Sequence, residues 1–255
     1  MMHIETIGSG PDLILIHGWA MHAGIFAPLT ERLAREFRVH LVDLPGHGYS
    51  RDDLAALDPA YSAATLVAHL PRAIWVGWSL GGLVALHAAL LPDSPLRGLV
   101  MIAASPRFVA AADWPHGVQR EVFEQFDSGL RSAYRATIER FLALEALGSE
   151  HTQACLHELR AHVFERGEPA LAALEQGLRT LETTDLRARL TELKVPSLWL
   201  AGRRDRLVPA AAMRWAAQQS PQGRFVEFSS GHAPFIGHAQ AVAAAITAFA
   251  ADLPP

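Results

Sequence analysis

Six short apolar runs recur along this chain at helix-length intervals, at residues 13–16, 39–42, 74–76, 99–103, 197–201 and 225–228. Many are nearly unbroken rather than alternating, the pattern of strands buried on both faces of a parallel sheet. Helical periodicity fills intervals between them at 28–36, 63–69, 83–91, 209–219 and 240–251. Parallel strands need crossovers of about that length. The alternation therefore predicts an α/β fold with a mostly parallel central sheet flanked by helices. At 255 residues, half of them hydrophobic, the chain is long enough to close one sizeable core of this kind.

The alternation fails between residues 108 and 185. Segments 120–128, 129–146, 150–165 and 169–180 all carry amphipathic helical periodicity, punctuated by Gly148, Gly167 and Pro169. We expect a core formed by 1–107 and 186–255 and an inserted all-helical cap, or lid, at 108–185. Such an insertion belongs over the carboxyl edge of the sheet, where ligands of open α/β folds bind.

Gly77-Trp78-Ser79-Leu80-Gly81 lies between one apolar run and the helix that follows it. This is a strand, a tight turn with a serine at its apex, and a helix, the setting of an activated serine nucleophile. The small neighbours let strand and helix crowd together, and the helix amino end favours developing negative charge. A three-position pattern of common residues also arises by chance, so its weight rests on partners.

A serine hydroxyl needs a base to take its proton and an acid to orient that base, here expected in the chain order serine, acid, histidine. Asp205 follows the run at 197–201 and His232 follows the run at 225–228, so both fall on loops at the same sheet edge as Ser79. Asp43, in Asp43-Leu44-Pro45-Gly46, reads instead as turn chemistry. Of the thirteen histidines, His238 is a weaker rival at the approach to the last helix. The catalytic candidates are Ser79, Asp205 and His232. The oxyanion needs two backbone donors. Leu80 follows the nucleophile, and Trp19, in His17-Gly18-Trp19, follows the first of the six runs.

A formal net charge of −4 and the lack of basic runs point away from nucleic acid and membrane surfaces. The single cysteine, Cys155, allows no internal disulfide and fits a reducing compartment. No signal-peptide pattern opens the chain, and the run at 13–16 is too short to span a bilayer. We expect a cytoplasmic monomer. No metal-ligand spacing is present, and the proposed chemistry needs neither metal nor organic cofactor.

Taken together, His17-Gly18-Trp19, Asp43–Ser50, Gly77–Gly82 and Gly231-His232 resemble the α/β-hydrolase superfamily along the whole chain. More closely, residues 73–85, 139–144 and 232–236 resemble the pimeloyl-[acyl-carrier protein] methyl ester esterases, the carboxylesterases of biotin synthesis. The resemblance implies hydrolysis of a methyl ester on a pimeloyl chain borne by acyl carrier protein. It supports Ser79, Asp205 and His232 as a triad, with Trp19, Ser79, Leu80 and His232 around the substrate carbonyl. It also implies that Phe141, Leu142, Ala143, Leu144 and Glu145 form the cap wall of the acyl channel. Glutamine is the expected residue at 145, so Glu145 departs from the pattern; a carboxylate there would discourage a charged substrate end or retune the channel.

The carrier protein is acidic and would dock on basic cap residues, for which Arg131, Arg135 and Arg140 are the candidates. Arg203, Arg204 and Arg206 would add a basic rim. Yet residues 108–184 hold twelve acids against seven arginines. Alternative readings are a general short-chain carboxylesterase or lipase-like hydrolase, and, in a different class, a non-catalytic ligand receptor on the same fold. A serine at the apex argues against the dehalogenases and epoxide hydrolases of this fold, which use aspartate there.

Overall fold

The computed structural model describes residues 2–53 and 55–254. Strands β1 (His3–Gly8), β2 (Asp12–Ile16), β3 (Arg38–Asp43), β4 (Ala73–Trp78), β5 (Leu96–Ile102), β6 (Ser197–Gly202) and β7 (Gly223–Phe228) form one sheet. Their order is β1-β3-β2-β4-β5-β6-β7, and every pairing is parallel except β1 with β3. Helices α1 (Ala27–Leu33), α2 (Pro59–His69), α3 (Leu80–Ala89), α8 (Ala210–Gln219), the short α9 (Pro234–Gly237) and α10 (Ala239–Ala251) flank it. The mostly parallel α/β sheet is as the sequence predicts.

Each of the six apolar runs lies within a strand, from β2 onward, apart from one overhanging residue after β5. β4 and β6 are buried at every residue, which explains their lack of alternation. Strand β1 escapes the sequence reading because His3–Gly8 is polar and mostly exposed at the sheet edge. α2 begins four residues before its apolar periodicity does. Asp58 caps it by accepting a hydrogen bond from the Tyr61 N–H at 2.7 Å, and Pro59 fits its first position.

Between β5 and β6 run α4 (Arg120–Ser132), α5 (Tyr134–Ala146), α6 (Thr152–Val163) and α7 (Leu171–Thr183). The first break falls at Ala133 rather than Gly129. Gly129 instead lets the two helices approach, since a Cβ there would lie 2.5 Å from Thr137 Oγ1. Arg166, in the loop between α6 and α7, binds Asp43 at the end of β3 and Glu5 on β1, each at 3.2 Å. The helical segment is thereby tied to the sheet's carboxyl edge.

Candidate active site

Three non-glycine residues have positive φ among the described residues: Ala20 (62°), Ser79 (53°) and Ala103 (43°). They follow β2, β4 and β5, the three central strands, so backbone strain collects at one edge of the sheet. At Ser79 the chain turns from β4 directly into α3, and the Ser79 N–H still bonds to Ile102 O of β5 at 3.0 Å. Gly81 is obligatory in this turn, because a Cβ would lie 2.3 Å from the Ile16 carbonyl of β2. Leu80 N–H is at the first position of α3, where no intrahelical acceptor exists.

Asp205 lies just beyond β6. Its Oδ1 accepts from the N–H groups of Leu207 at 2.8 Å and Val208 at 3.0 Å. Its Oδ2 faces His232 Nδ1 at 2.8 Å. Both side chains are buried. A carboxylate at Nδ1 fixes the proton there, leaving Nε2 as the acceptor. Among the described residues, His232 Nε2 has no hydrogen-bond partner and is buried. The His232 loop is held from below, since Trp78 Nε1 donates to His232 O at 2.9 Å. The Trp78 ring also packs edge-on to Phe235 at 5.1 Å.

Residues 17–19 lie against Ser79, and a Cβ on Gly18 would be 3.2 Å from the Ser79 Cβ. His17 organises this loop. Its Nδ1 donates to Gly18 O at 2.7 Å, and its Nε2 accepts from Leu44 N–H at 2.9 Å. Burial, then the neighbouring His47, pushes His17 down to about 3; burial pushes His47 down to about 4. Both rings are thus neutral at physiological pH. Asp43 binds the N–H groups of Ala23 and Tyr49. Burial opposes its charge, but these N–H donors and the Arg166 guanidinium favour it, and the carboxyl lies below its ordinary range. Asp43 is a loop anchor at a distance from His232's partner.

A small apolar cavity of about 20 Å³ opens beside Ser79, lined by Phe108, Phe123, Phe126, Phe141, Leu178 and Leu207 among others. Of residues 141–145, only Phe141 lines it. Helical geometry turns each successive side chain by about 100°, so five consecutive residues cannot face one cavity. Ala143 and Leu144 line an outer groove between α4 and α5 with Arg140, while Leu142 is buried. Glu145 is buried beside Asp205. Trp19 sends its ring into the helical segment, where Nε1 donates to Leu174 O of α7 at 2.8 Å. Its ring meets Phe141 edge-on at 4.6 Å.

The arginines differ in their commitments. Arg131 pairs with Glu175 at 3.1 Å, and Arg135 pairs with Glu168. Arg140 is exposed with no ion pair among the described residues. Arg203 and Arg204 bind Ser229, bracing the Asp205 loop against the His232 loop. His238 stacks on Phe228, away from Asp205.

Sequence reasoning missed the indole bond of Trp78 and the loop-setting role of His17. A tryptophan beside an apical serine was the available signal for the first. The second depends on contacts 27 residues apart. Trp78→Phe keeps the ring packing and removes the N–H donated to His232 O, leaving a buried acceptor unpaired. We expect kcat/KM for a short ester to fall about tenfold and Tm by several degrees. Unchanged kinetics would show that this bond does not position His232.

A family model described as the alpha/beta hydrolase fold matches residues 11–239. A protein of Xanthomonas oryzae pv. oryzae (strain MAFF 311018), named pimeloyl-[acyl-carrier protein] methyl ester esterase, is 57% identical over 255 residues. The match covers 99% of this chain and 100% of that one. A Stenotrophomonas maltophilia (strain R551-3) protein of the same name is 56% identical, covering 100% and 98%. Among solved structures, a thermophilic esterase from Thermogutta terrifontis superposes with a TM-score of 0.82 at 24% identity, covering 98% of this chain and 93% of its own. An esterase from Exiguobacterium antarcticum gives 0.82 at 20% identity, covering 98% and 96%. At those identities the structural likeness speaks to the fold.

Proposed function

The chain belongs to the α/β-hydrolase family, and from that premise we propose that it is a serine carboxylesterase that hydrolyses the methyl ester of pimeloyl-[acyl-carrier protein], freeing the pimeloyl carboxylate for biotin synthesis. The observation that carries this reading is identity of 57% along essentially the full length of relatives bearing that name. The match covers 99% of this chain and so includes the helical segment, whose side chains line the cavity at Ser79.

In this reading Ser79 Oγ attacks the ester carbonyl while His232 Nε2 takes its proton. Asp205 holds the imidazole and stabilises its cationic form. The N–H groups of Trp19 and Leu80 receive the oxyanion. His232 then protonates the leaving methoxide, methanol departs, and water hydrolyses the acyl-enzyme with His232 as base. The unpartnered, buried Nε2 and the carboxylate at Nδ1 support these roles. The side chains around the small cavity beside Ser79 are apolar, the lining an aliphatic chain would meet once that wall parts.

The direct test is turnover of the carrier-bound methyl ester, followed by mass, together with growth of a biotin-requiring strain that lacks its own esterase. Growth that depends on Ser79 supports the reading. Ester hydrolysis without growth would favour a general short-chain carboxylesterase.

Docking of acidic carrier protein rests on few free cations, with Arg140 foremost, because Arg131 and Arg135 are already paired with acids. We expect kcat/KM for the carrier-bound ester to fall several-fold from about 0.05 to about 0.5 M salt, and that for a short neutral ester to stay level. Equal salt responses of the two substrates would count against electrostatic docking.

A further inference from the structure

The carboxyl-terminal end of α5 sits on both loops that carry the acid and the base. His232 N–H donates to Glu145 O at 3.3 Å. Gly231 is pressed against the same turn, where a Cβ would lie 2.4 Å from Leu147 O and 3.2 Å from Glu145 O. Gly148 lies against the Arg204 carbonyl, where a Cβ would come within 2.3 Å. At the centre of this contact the Glu145 side chain is fully buried, and neither carboxyl oxygen has a hydrogen-bond partner among the described residues.

The surrounding groups offer it no counter-charge. From the acid loop it faces the Asp205 carboxylate and from α6 the Cys155 thiol, while the base loop meets α5 through the His232 N–H on the Glu145 carbonyl. Arg204, on the acid loop, turns outward to Ser229 and Glu150. His238 also lies toward Glu150, and Glu158 on α6 is half-buried with its carboxylate toward His162. On α5 itself, Glu139 pairs with Arg160, and Arg140 is exposed. A carboxylate in this place would be a second buried anion beside Asp205, a costly arrangement without a partner.

We propose that Glu145 is a positioning residue for the Asp205–His232 pair: as an uncharged acid it lets the end of α5 seat both loops, and its ionisation unseats them. The proposal rests on the esterase reading above, because it concerns the same acid and base. Burial, with Asp205 nearby, pushes the Glu145 carboxyl well above the ordinary carboxylate range. The raised value sets the sign. The folded chain keeps a proton that the unfolded chain releases near the ordinary glutamate value, about 4.3. Stability at this site is therefore full below that value and falls as pH rises toward the raised one. Loss of the proton beside Asp205 then disturbs the geometry of the base. The readout is an alkaline decline in activity that belongs to a residue outside the triad.

The test measures kcat/KM for a short neutral ester from about pH 6 to about pH 10, with Ser79→Ala as the blank for spontaneous hydrolysis. For the wild type we expect an alkaline decline of up to about tenfold per pH unit. Glu145→Gln should remove the decline, raising the ratio of activity at about pH 9 to that at about pH 7. Glu145→Asp, which retains a carboxyl, should keep it. Glu145→Gln should also melt higher than the wild type, by a margin that widens with pH.

A decline of wild-type form in Glu145→Gln, its loss in Glu145→Asp as well, or its absence from the wild type would each overturn the proposal. Should Glu145→Gln fail to fold, Glu145→Met gives an uncharged side chain of similar length for the same measurements. The esterase reading fails separately, by full activity in Ser79→Ala.

Discussion

Replacing Ser79 with alanine is expected to lower kcat for a short p-nitrophenyl ester by on the order of 10⁴-fold or more, the scale seen when a triad nucleophile is removed. The fold should survive. Ser79 has φ of 53°, so the strain of the turn is borne by any residue with a Cβ, and alanine bears it as serine does. The hydroxyl makes no hydrogen bond to His232, whose Nε2 is unpartnered among the described residues. No structural bond to the base is therefore lost with it. The check pairs kinetics with a thermal melt. An inactive variant of wild-type Tm supports Ser79 as nucleophile, whereas near-wild-type turnover removes the serine mechanism altogether.

Asp205→Asn is the second large effect, and its cause is directional. Two backbone N–H groups already point at Oδ1. An asparagine must put its carbonyl oxygen there, because the NH₂ group would set donor against donors. The NH₂ is then forced toward His232 Nδ1. That nitrogen must become an acceptor, so the imidazole proton moves to Nε2, where a proton cannot be taken from Ser79. We expect kcat to fall by roughly 10⁴-fold, the magnitude known for the equivalent change in other serine triads. Nitrogen-15 shifts of the imidazole would report the exchanged tautomer. Asp43→Asn should leave that tautomer alone, since Asp43 binds Ala23, Tyr49 and Arg166. A mild phenotype for Asp205→Asn with an unaltered tautomer would exclude Asp205 as the orienting acid.

Much of the sheet was legible in the sequence because its inner strands are buried on both faces and so read as unbroken apolar runs. β1 was not, because an exposed edge strand such as His3–Gly8 carries no such signature. The loops bearing Ser79, Asp205 and His232 could be placed from strand order alone, since every loop after a parallel strand opens at the same edge. Side-chain direction was less accessible. Residues 141–145 form one continuous stretch in the sequence, but the turn of α5 sends Phe141 to the cavity, Ala143 and Leu144 to an outer groove, and Glu145 toward Asp205. Likewise Gly129 has the look of a helix breaker and serves as a point of close approach. The His17–Leu44 and Trp78–His232 bonds join distant segments, and no local pattern announces them.

Trp19 is fastened at two levels. Its backbone belongs to the loop against Ser79, while its indole is bonded to α7 and packed on Phe141 of α5. The cavity at Ser79 holds about 20 Å³, roughly the space of one water, so an acyl chain enters only if the aromatic wall yields. Any displacement of α5 or α7 pulls on the residue that would cradle the oxyanion. Admission of substrate and readiness for chemistry would then be opposed states of one mechanical element. If parting the wall shifts Trp19, an ester bound in that state would meet an incomplete set of donors, and re-closure around a chain of fitting length would restore them. Chain-length selection would then register in kcat as well as in KM, with a single indole as the sensor.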